Sequence, residues 1–255
     1  MSSYGLWLSA AGMKVSDHRQ ALLANNMANA NTTGFKQDLA AITQRTIESR
    51  SSAGGFGFAH PVLDGMGGGL NVRPSYHDFS QGPIERTGRP LDVAIEGDGF
   101  FVVRNEDETR YTRDGQFVLN PNGELVLVAG GGRWRVLDES GSGIVLDEAG
   151  GPPVVSQDGT IRQGKTVVAR LSLMDTDDRQ SLRKIGGNLF DAGDTKMFPV
   201  KVRVAAQSRE ESNVDVMRGL ATMIEAARAY EMNARMIQLQ DRMTEQAVTV
   251  GRTVR

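Results

Sequence analysis

The stretch with the most explicit chemical promise is Gly159-Thr160-Ile161-Arg162-Gln163-Gly164-Lys165-Thr166, which spells the pattern of a phosphate-binding loop letter for letter. Such a loop works where a strand delivers it and a helix begins at its lysine and threonine, so that backbone N–H groups point at phosphates. Here Val167-Val168-Ala169-Arg170-Leu171-Ser172-Leu173 follows, β-branched and alternating, which reads as a strand. The run is therefore expected to be a hairpin turn. A nucleotide-binding protein using 159–166 is the alternative function it leaves open. His18, His60 and His77 are far apart and lack metal-ligand spacing. Glu106-Asp107-Glu108 and Asp175, Asp177 and Asp178 fall in turn-like sequence and fit no calcium loop. No Gly-x-Ser-x-Gly elbow occurs, and there is no cysteine to ligate a metal or form a disulfide. The expectation is a chain that is not an enzyme, with no cofactor, no metal and no small-molecule substrate.

The most ordered patterns belong instead to the two ends. Val216, Leu220, Met223, Ala227, Tyr230, Ala234 and Ile237 recur at alternating steps of four and three, the seam of one long helix over about Asn213–Val250. Ser212 or Asn213 is expected to cap its start. A second helical pattern runs from Leu6 to Ala28, with Leu8, Ala11, Val15 and Leu22 on its apolar side. Neither stretch contains proline. Two such helices suggest that the ends of the chain meet as a coiled coil. One helix cannot cover its own stripe, so the alternatives are a discrete coiled-coil oligomer or an extended assembly.

Between the ends the period falls to two. Leu91–Ile95, Phe100–Arg104, Tyr111–Arg113, Gln116–Leu119, Glu124–Val128, Trp134–Leu137, Ile144–Leu146, Val154–Val155, Thr160–Ile161, Val167–Met174 and Met197–Ala206 read as short strands. Asp114-Gly115 is expected to close a hairpin, and Asn120-Pro121-Asn122-Gly123 another. Gln37–Ser52 reads as helical or mixed. Ala53–Gly69 reads as a loop. The fold class is α+β: N- and C-terminal helices forming a coiled coil around a central all-β domain of short antiparallel strands. The expected division is 1–34 helix and turn, 35–71 glycine-rich connection, 72–206 β domain and 207–255 C-terminal helix. The net charge of −2 and dispersed basic residues argue against nucleic acid. No run of 18 apolar residues suggests a membrane span, and Met1–Trp7 lacks the basic start of a signal peptide.

Four motifs carry a resemblance. Asn25, Asn26, Ala28 and Asn29 with Thr33-Gly34-Phe35-Lys36 are similar to the N-terminal signature of the bacterial flagellar rod and hook family. Leu91-Asp92-Val93-Ala94-Ile95-Glu96-Gly97-Asp98-Gly99-Phe100-Phe101 resembles its central motif, and Tyr111–Gly115 with Asn122–Leu125 its next hairpin. Glu211-Ser212-Asn213-Val214-Asp215-Val216 with Arg228-Ala229-Tyr230-Glu231-Met232-Asn233 resembles its C-terminal helix. Arg89-Pro90 resembles the proximal-rod type, and the loop ending Gly69–Pro74 the distal-rod type.

The resemblance implies a structural subunit of the flagellar basal-body rod that self-assembles through its terminal helices into a helical, torque-transmitting tube. It implies partners in copies of the chain and in other rod and hook proteins. It also implies passage through the flagellar type III export apparatus without a cleaved signal peptide, and a final place in the periplasmic space. Val216, Leu220, Met223, Ala227, Tyr230 and Ile237 would carry the assembly seam, faced by Leu8, Ala11, Val15 and Leu22. Asn25, Asn26, Asn29 and Phe35 would fix the turn where the chain leaves the tube wall.

Overall fold

A computed structural model describes residues 2–44, 69–106, 108–147 and 150–253. The expected loop Ala53–Gly69, except Gly69, lies outside the described residues, as do His60 and Asp107. Two helices flank a central domain of antiparallel strands, so the class is α+β. The chain divides into two compact units, one of residues 1–27, 38–76 and 215–255, the other of residues 28–37 and 77–214.

The first unit holds helix α1, Ser2–Ala28, helix α2, Val216–Thr253, and a ribbon of two strands, Asp38–Gln44 and Leu70–His77. A strand thus replaces the helical or mixed segment expected after Gln37; alternation of Leu39, Ala41 and Thr43 with its neighbours supports pairing once Leu70–His77 lies beside it. Pro74 is tolerated because a two-stranded ribbon has free edges on both sides. α2 begins later than expected. Asp215, not Ser212 or Asn213, is its cap: the Asp215 Oδ1 accepts the Arg218 N–H at 3.0 Å. At ~1.5 Å per residue the helix is roughly 57 Å long. No helix among the described residues is long and apolar enough to cross a membrane.

Three glycines record how α1 and α2 meet. A Cβ on Gly5 would lie 2.5 Å from Gln240 Nε2, one on Gly12 would lie 2.8 Å from Asn233 Nδ2, and one on Gly219 would lie 3.6 Å from Met27 Cγ. Numbers on α1 rise as those on α2 fall, from Gly5 and Gln240 through Gly12 and Asn233 to Met27 and Gly219, so the helices run antiparallel. The line on α2 is Gly219, Ala226, Asn233 and Gln240. Ala226 is the only buried apolar residue of α2 among those described.

The second unit is all β. Its largest sheet contains the strands Phe100–Arg104, Thr109–Thr112, Phe117–Leu119, Leu125–Leu127, Arg183–Gly186 and Leu189–Asp191. Phe100–Arg104 alternates between two cores. Phe101 and Val103 join Val93, Ile95, Leu125, Leu127, Ile161 and Val204 in one. Phe100 joins Phe79, Leu182 and Phe190 in the other. The few aromatics are concentrated here: Phe79, Phe100 and Phe190 lie 5.4–5.7 Å apart, centroid to centroid.

Several strand expectations need correction. Val167–Met174 is two strands, Thr166–Arg170 and Leu173–Asp175, on different sheets. Met197–Ala206 is also two, Phe198–Pro199 and Arg203–Ala206. Ile144–Leu146 is reduced to a single bridge from Val145 to Glu124. Asp114-Gly115 closes no hairpin. Thr109–Thr112 pairs with Phe100–Arg104, while Phe117–Leu119 pairs with Leu125–Leu127. Glycine is used there for close approach: a Cβ on Gly115 would sit 1.6 Å from the Val93 carbonyl oxygen. The Asn120–Gly123 hairpin forms as expected. Gly123 has φ +77°, and Asn120 Oδ1 accepts the N–H groups of Asn122 and Glu124, each at 2.9 Å.

Candidate functional site

Gly159–Thr166 forms no phosphate loop. Thr160–Gln163 and Thr166–Arg170 pair antiparallel, with Gln163 opposite Thr166, so Gly164 and Lys165 are the tip of a tight hairpin. Neither end opens a helix. Among the described residues no group of three or more histidines and acids could hold a metal. Asp175 is taken up by Arg179, which also reaches Asp98 at 2.9 Å. Those charges are structural.

The motifs converge on a buried ionic node in the second unit. Glu210 has a fully buried side chain. Its Oε1 accepts from Lys36 Nζ at 2.6 Å and from the Gly82 N–H at 3.0 Å. Its Oε2 accepts from Arg113 at 3.3 Å, and its backbone oxygen accepts the Gly34 N–H at 2.8 Å. Lys36 also donates to the Ser80 carbonyl at 2.7 Å. Burial lowers the pKa of both cations, and Glu210 opposes that in each case. A buried pair of this kind costs about 3–5 kcal/mol to break by removing one member, because a desolvated charge is left alone.

Asn213 is the second tie. Its Oδ1 accepts the Gln37 N–H at 2.8 Å, and its Nδ2 donates to the carbonyls of Asp78 at 2.8 Å and Ser80 at 3.2 Å. Gly34 lies against the backbone of Arg113 and Asp114 at φ +68°, where a Cβ would be 2.5 Å from the Asp114 nitrogen. Phe35 is buried with the Lys184 ammonium 3.7 Å above its ring. Thr33 offers its carbonyl to Asn188 Nδ2 at 2.7 Å. Segments of the N-terminal, central and C-terminal motifs thus share one cluster of bonds. Sequence reasoning alone did not single out Lys36, Arg113 and Glu210. They are separated by up to 174 positions, and no local pattern links them. The available signal was that Lys36 and Arg113 stand inside family motifs beside glycines or their neighbours.

The remaining motif residues have local tasks. In the first unit Asn26 is 4% exposed and pairs with Asp38 both ways: its Nδ2 donates to the Asp38 carbonyl at 2.8 Å and its Oδ1 accepts the Asp38 N–H at 2.9 Å. Asn29 Oδ1 accepts from Thr32 Oγ1 at 3.3 Å. Asn25 and Ala28 are exposed. Asp92, Val93 and Ala94 are buried, and Asp92 Oδ2 accepts no hydrogen bond. Gly97 and Gly99 have φ of +107° and +137°, suited to a bend that takes the chain from the strand Val93–Glu96 into another sheet. Val214 is half-buried.

The helices present a different surface. Of the proposed seam, Val216, Leu220 and Tyr230 are exposed, while Met223, Ala227 and Ile237 are half-buried. On α1, Leu8 is exposed, Ala11 and Leu22 are half-buried and Val15 is buried. Ala11 and Val15 line a groove with Trp7, Leu70 and Val72, so that side of α1 faces the ribbon, and the glycines face α2. Further large side chains stand in solvent on α2: Met217 at 77%, Ile224 at 54%, Met232 at 63%, Met236 at 48%, Leu239 at 52% and Met243 at 68% exposure. Arg228, Glu231 and Arg235 are exposed as well.

Comparison with known proteins gives this surface a context. Residues 9–36 match a model for flagella basal body rod proteins, residues 94–163 the flagellar hook protein FlgE/F/G D1 domain, and residues 206–250 the flagellar basal body rod FlgEFG protein C-terminal region. The chain is 38% identical over 230 residues to the flagellar basal-body rod protein FlgF of Caulobacter vibrioides, covering 89% of each chain. It is 31% identical over 258 residues to the rod protein FlgG of Buchnera aphidicola subsp. Baizongia pistaciae, covering 94% of this chain and 96% of that one. To the FlgG of Bacillus subtilis it is 29% identical over 269 residues, covering 97% of this chain and 98% of that one. These are structural rod proteins and not enzymes. Sequence motifs, node and helices agree with one assignment: the chain belongs to the flagellar basal-body rod protein family, in its FlgF/FlgG type.

Proposed function

We propose that this rod subunit assembles through α1 and α2, which pair as an antiparallel coiled coil and pack against the helices of neighbouring subunits in a helical tube. Its neighbours are copies of the same chain and other rod and hook proteins. The chain reaches the periplasmic space through the flagellar export apparatus without a cleaved signal peptide, and the finished tube carries torque. Val216, Leu220, Met223, Ala227, Tyr230 and Ile237, with Leu8 and Leu22, are the residues assigned to the helical packing, while Ala11 and Val15 face the ribbon of their own subunit.

One observation carries the reading. The line by which α2 meets α1 is small or polar, Gly219, Ala226, Asn233 and Gln240, while the large apolar side chains of α2 point elsewhere and stay exposed. Exposed apolar stripes of this length mark a surface meant to be covered. Leu220→Asp tests it. At 40% exposure the change should shift the unfolding midpoint of the free chain little, since an exposed position changes stability by about 0.5 kcal/mol or less. In an assembled tube it would bury an unpaired charge at a cost of several kcal/mol, so incorporation into rods, and motility, should be lost. Wild-type motility with Leu220→Asp would reject the role of the seam. A fixed small mass at every concentration would favour a discrete oligomer.

A further inference from the structure

Eight apolar residues of α2 form two sets with the same internal spacing, and Met217, Ile224, Tyr230 and Val248 are exposed beside them. Val216, Leu220, Met223 and Ala227 follow steps of four, three and four. Met232, Met236, Leu239 and Met243 repeat those steps, each 16 residues later. All but Met223 and Ala227 are exposed, and those two are half-buried. At ~100° per residue, 16 residues turn the helix by about 160°, so the sets lie on opposite flanks. The α1-facing line Gly219, Ala226, Asn233 and Gln240 runs between them. Leu220 and Ala227 each follow a member of that line by one residue, and Met232 and Leu239 each precede one.

We infer that α2 packs side by side with α2 of a second copy, parallel and displaced along the axis by 16 residues, so that the first set of one copy meets the second set of the next. The displacement is about 24 Å. It places Val216 level with Met232 of the next copy, Leu220 with Met236, Met223 with Leu239 and Ala227 with Met243. No other shift aligns all four pairs of the two sets. Because the two flanks differ, each added copy leaves the same pair of surfaces open at its ends, and the contact propagates instead of closing into a dimer.

Charge fits the same shift. Arg228, Arg235 and Arg242 recur every seventh residue, on the side of α2 about 200° from the α1-facing line. In this packing they border the second set as the g positions of a parallel heptad pair, and Glu231 borders the first set at an e position. A g residue reaches an e residue five levels further on. Arg242, level with residue 226 of its neighbour after the shift, therefore meets that neighbour's Glu231. Among the described residues Glu231 makes one long contact within its own copy, 4.0 Å to Arg235.

This rests on the helical assembly proposed above and adds its partner surface and its shift. The chain has no cysteine, so introduced thiols report contacts without background. In rods built from full-length variants, Leu220→Cys/Met236→Cys and Ala227→Cys/Met243→Cys should give a ladder of disulfide-linked multimers. Leu220→Cys/Met243→Cys, about 10 Å out of level, should give none. Glu231→Arg and Arg242→Glu should each lower incorporation, by about fivefold, and the double variant should restore it. Rods that incorporate every variant normally while linking only Leu220→Cys/Met243→Cys, or no pair at all, would overturn the shift and leave the assembly reading intact. Normal incorporation of both single charge reversals would overturn the shift in the same way. Failure of wild-type full-length chain to enter rods at all would overturn both.

Discussion

Replacing Asp114 by asparagine isolates a single buried titration. The Asp114 side chain sits in the wall behind Gly34, in a residue only 3% exposed. Burial pushes its pKa up to about 6 from an ordinary 3.8. The hydrogen bond from the Gln116 N–H opposes the rise, and the nearby charge of Asp92 adds to it. A carboxyl raised in the folded state keeps its proton between pH 3.8 and 6 while the unfolded chain has lost it. Stability from this group is therefore fully present below pH 3.8 and falls as pH rises through 6. The difference of about two pH units at 1.36 kcal/mol each amounts to about 3 kcal/mol. Asparagine keeps an oxygen for Gln116 and cannot titrate. Urea unfolding of both proteins across pH 4 to 8 isolates this residue and its coupling to Asp92, because groups that do not interact with Asp114 cancel in the difference. The wild type should lose about 2–3 kcal/mol relative to Asp114→Asn over that range, most of it by pH 6.5. A flat difference, or one that grows in favour of the wild type as pH rises, would refute the assignment of a buried, desolvated carboxyl.

Two further outcomes follow from local geometry. Gly34→Ala places a methyl against the Asp114 nitrogen from a backbone at φ +68°, and should lower stability by roughly 2–4 kcal/mol in the same urea assay. Asn26→Ala removes both hydrogen bonds between the Asn26 side chain and the Asp38 backbone, at about 2 kcal/mol. Hydrogen exchange should then quicken at Asp38 while α1 keeps its helical circular dichroism.

The order helix, strands, helix was legible because period 3.6 and period 2 are local signals, written in residues within one turn or one strand of each other. The same locality explains the errors. Asp114-Gly115 has the composition of a hairpin turn, but the close approach to Val93 that fixes its use is made by a strand about twenty residues earlier. Val167–Met174 reads as one strand because nothing in its sequence shows that Leu171 bridges from Asp138 and that the chain then changes sheet.

For the helices, an eye for the most apolar line finds Val216, Leu220 and Ala227. The contact inside one chain uses the line one residue away, Gly219, Ala226, Asn233 and Gln240, because glycines on either helix admit long side chains of the other: Gly5 and Gly12 face Gln240 and Asn233, and Gly219 faces Met27. Periodicity locates a stripe, and only coordinates tell which neighbour covers it. The ionic node was invisible for a plainer reason: Lys36, Arg113 and Glu210 look like surface charges until three distant segments enclose them. Its position also sets where the chain can be cut. Glu210 and Asn213 complete the second unit, so a truncation meant to spare it must fall after Val214.

Methionine footprinting tests the central claim most directly, because three of the four residues in the second apolar set are methionines. In the free chain Met232, Met236 and Met243 are open to solvent at 63%, 48% and 68%, so a dilute peroxide should convert their thioethers to sulfoxides readily. In rods isolated with the basal body the same three should react at least about tenfold more slowly, since covered thioethers are shielded from the oxidant. Equal reactivity of these methionines in free chain and in rod would contradict assembly through the exposed face of α2.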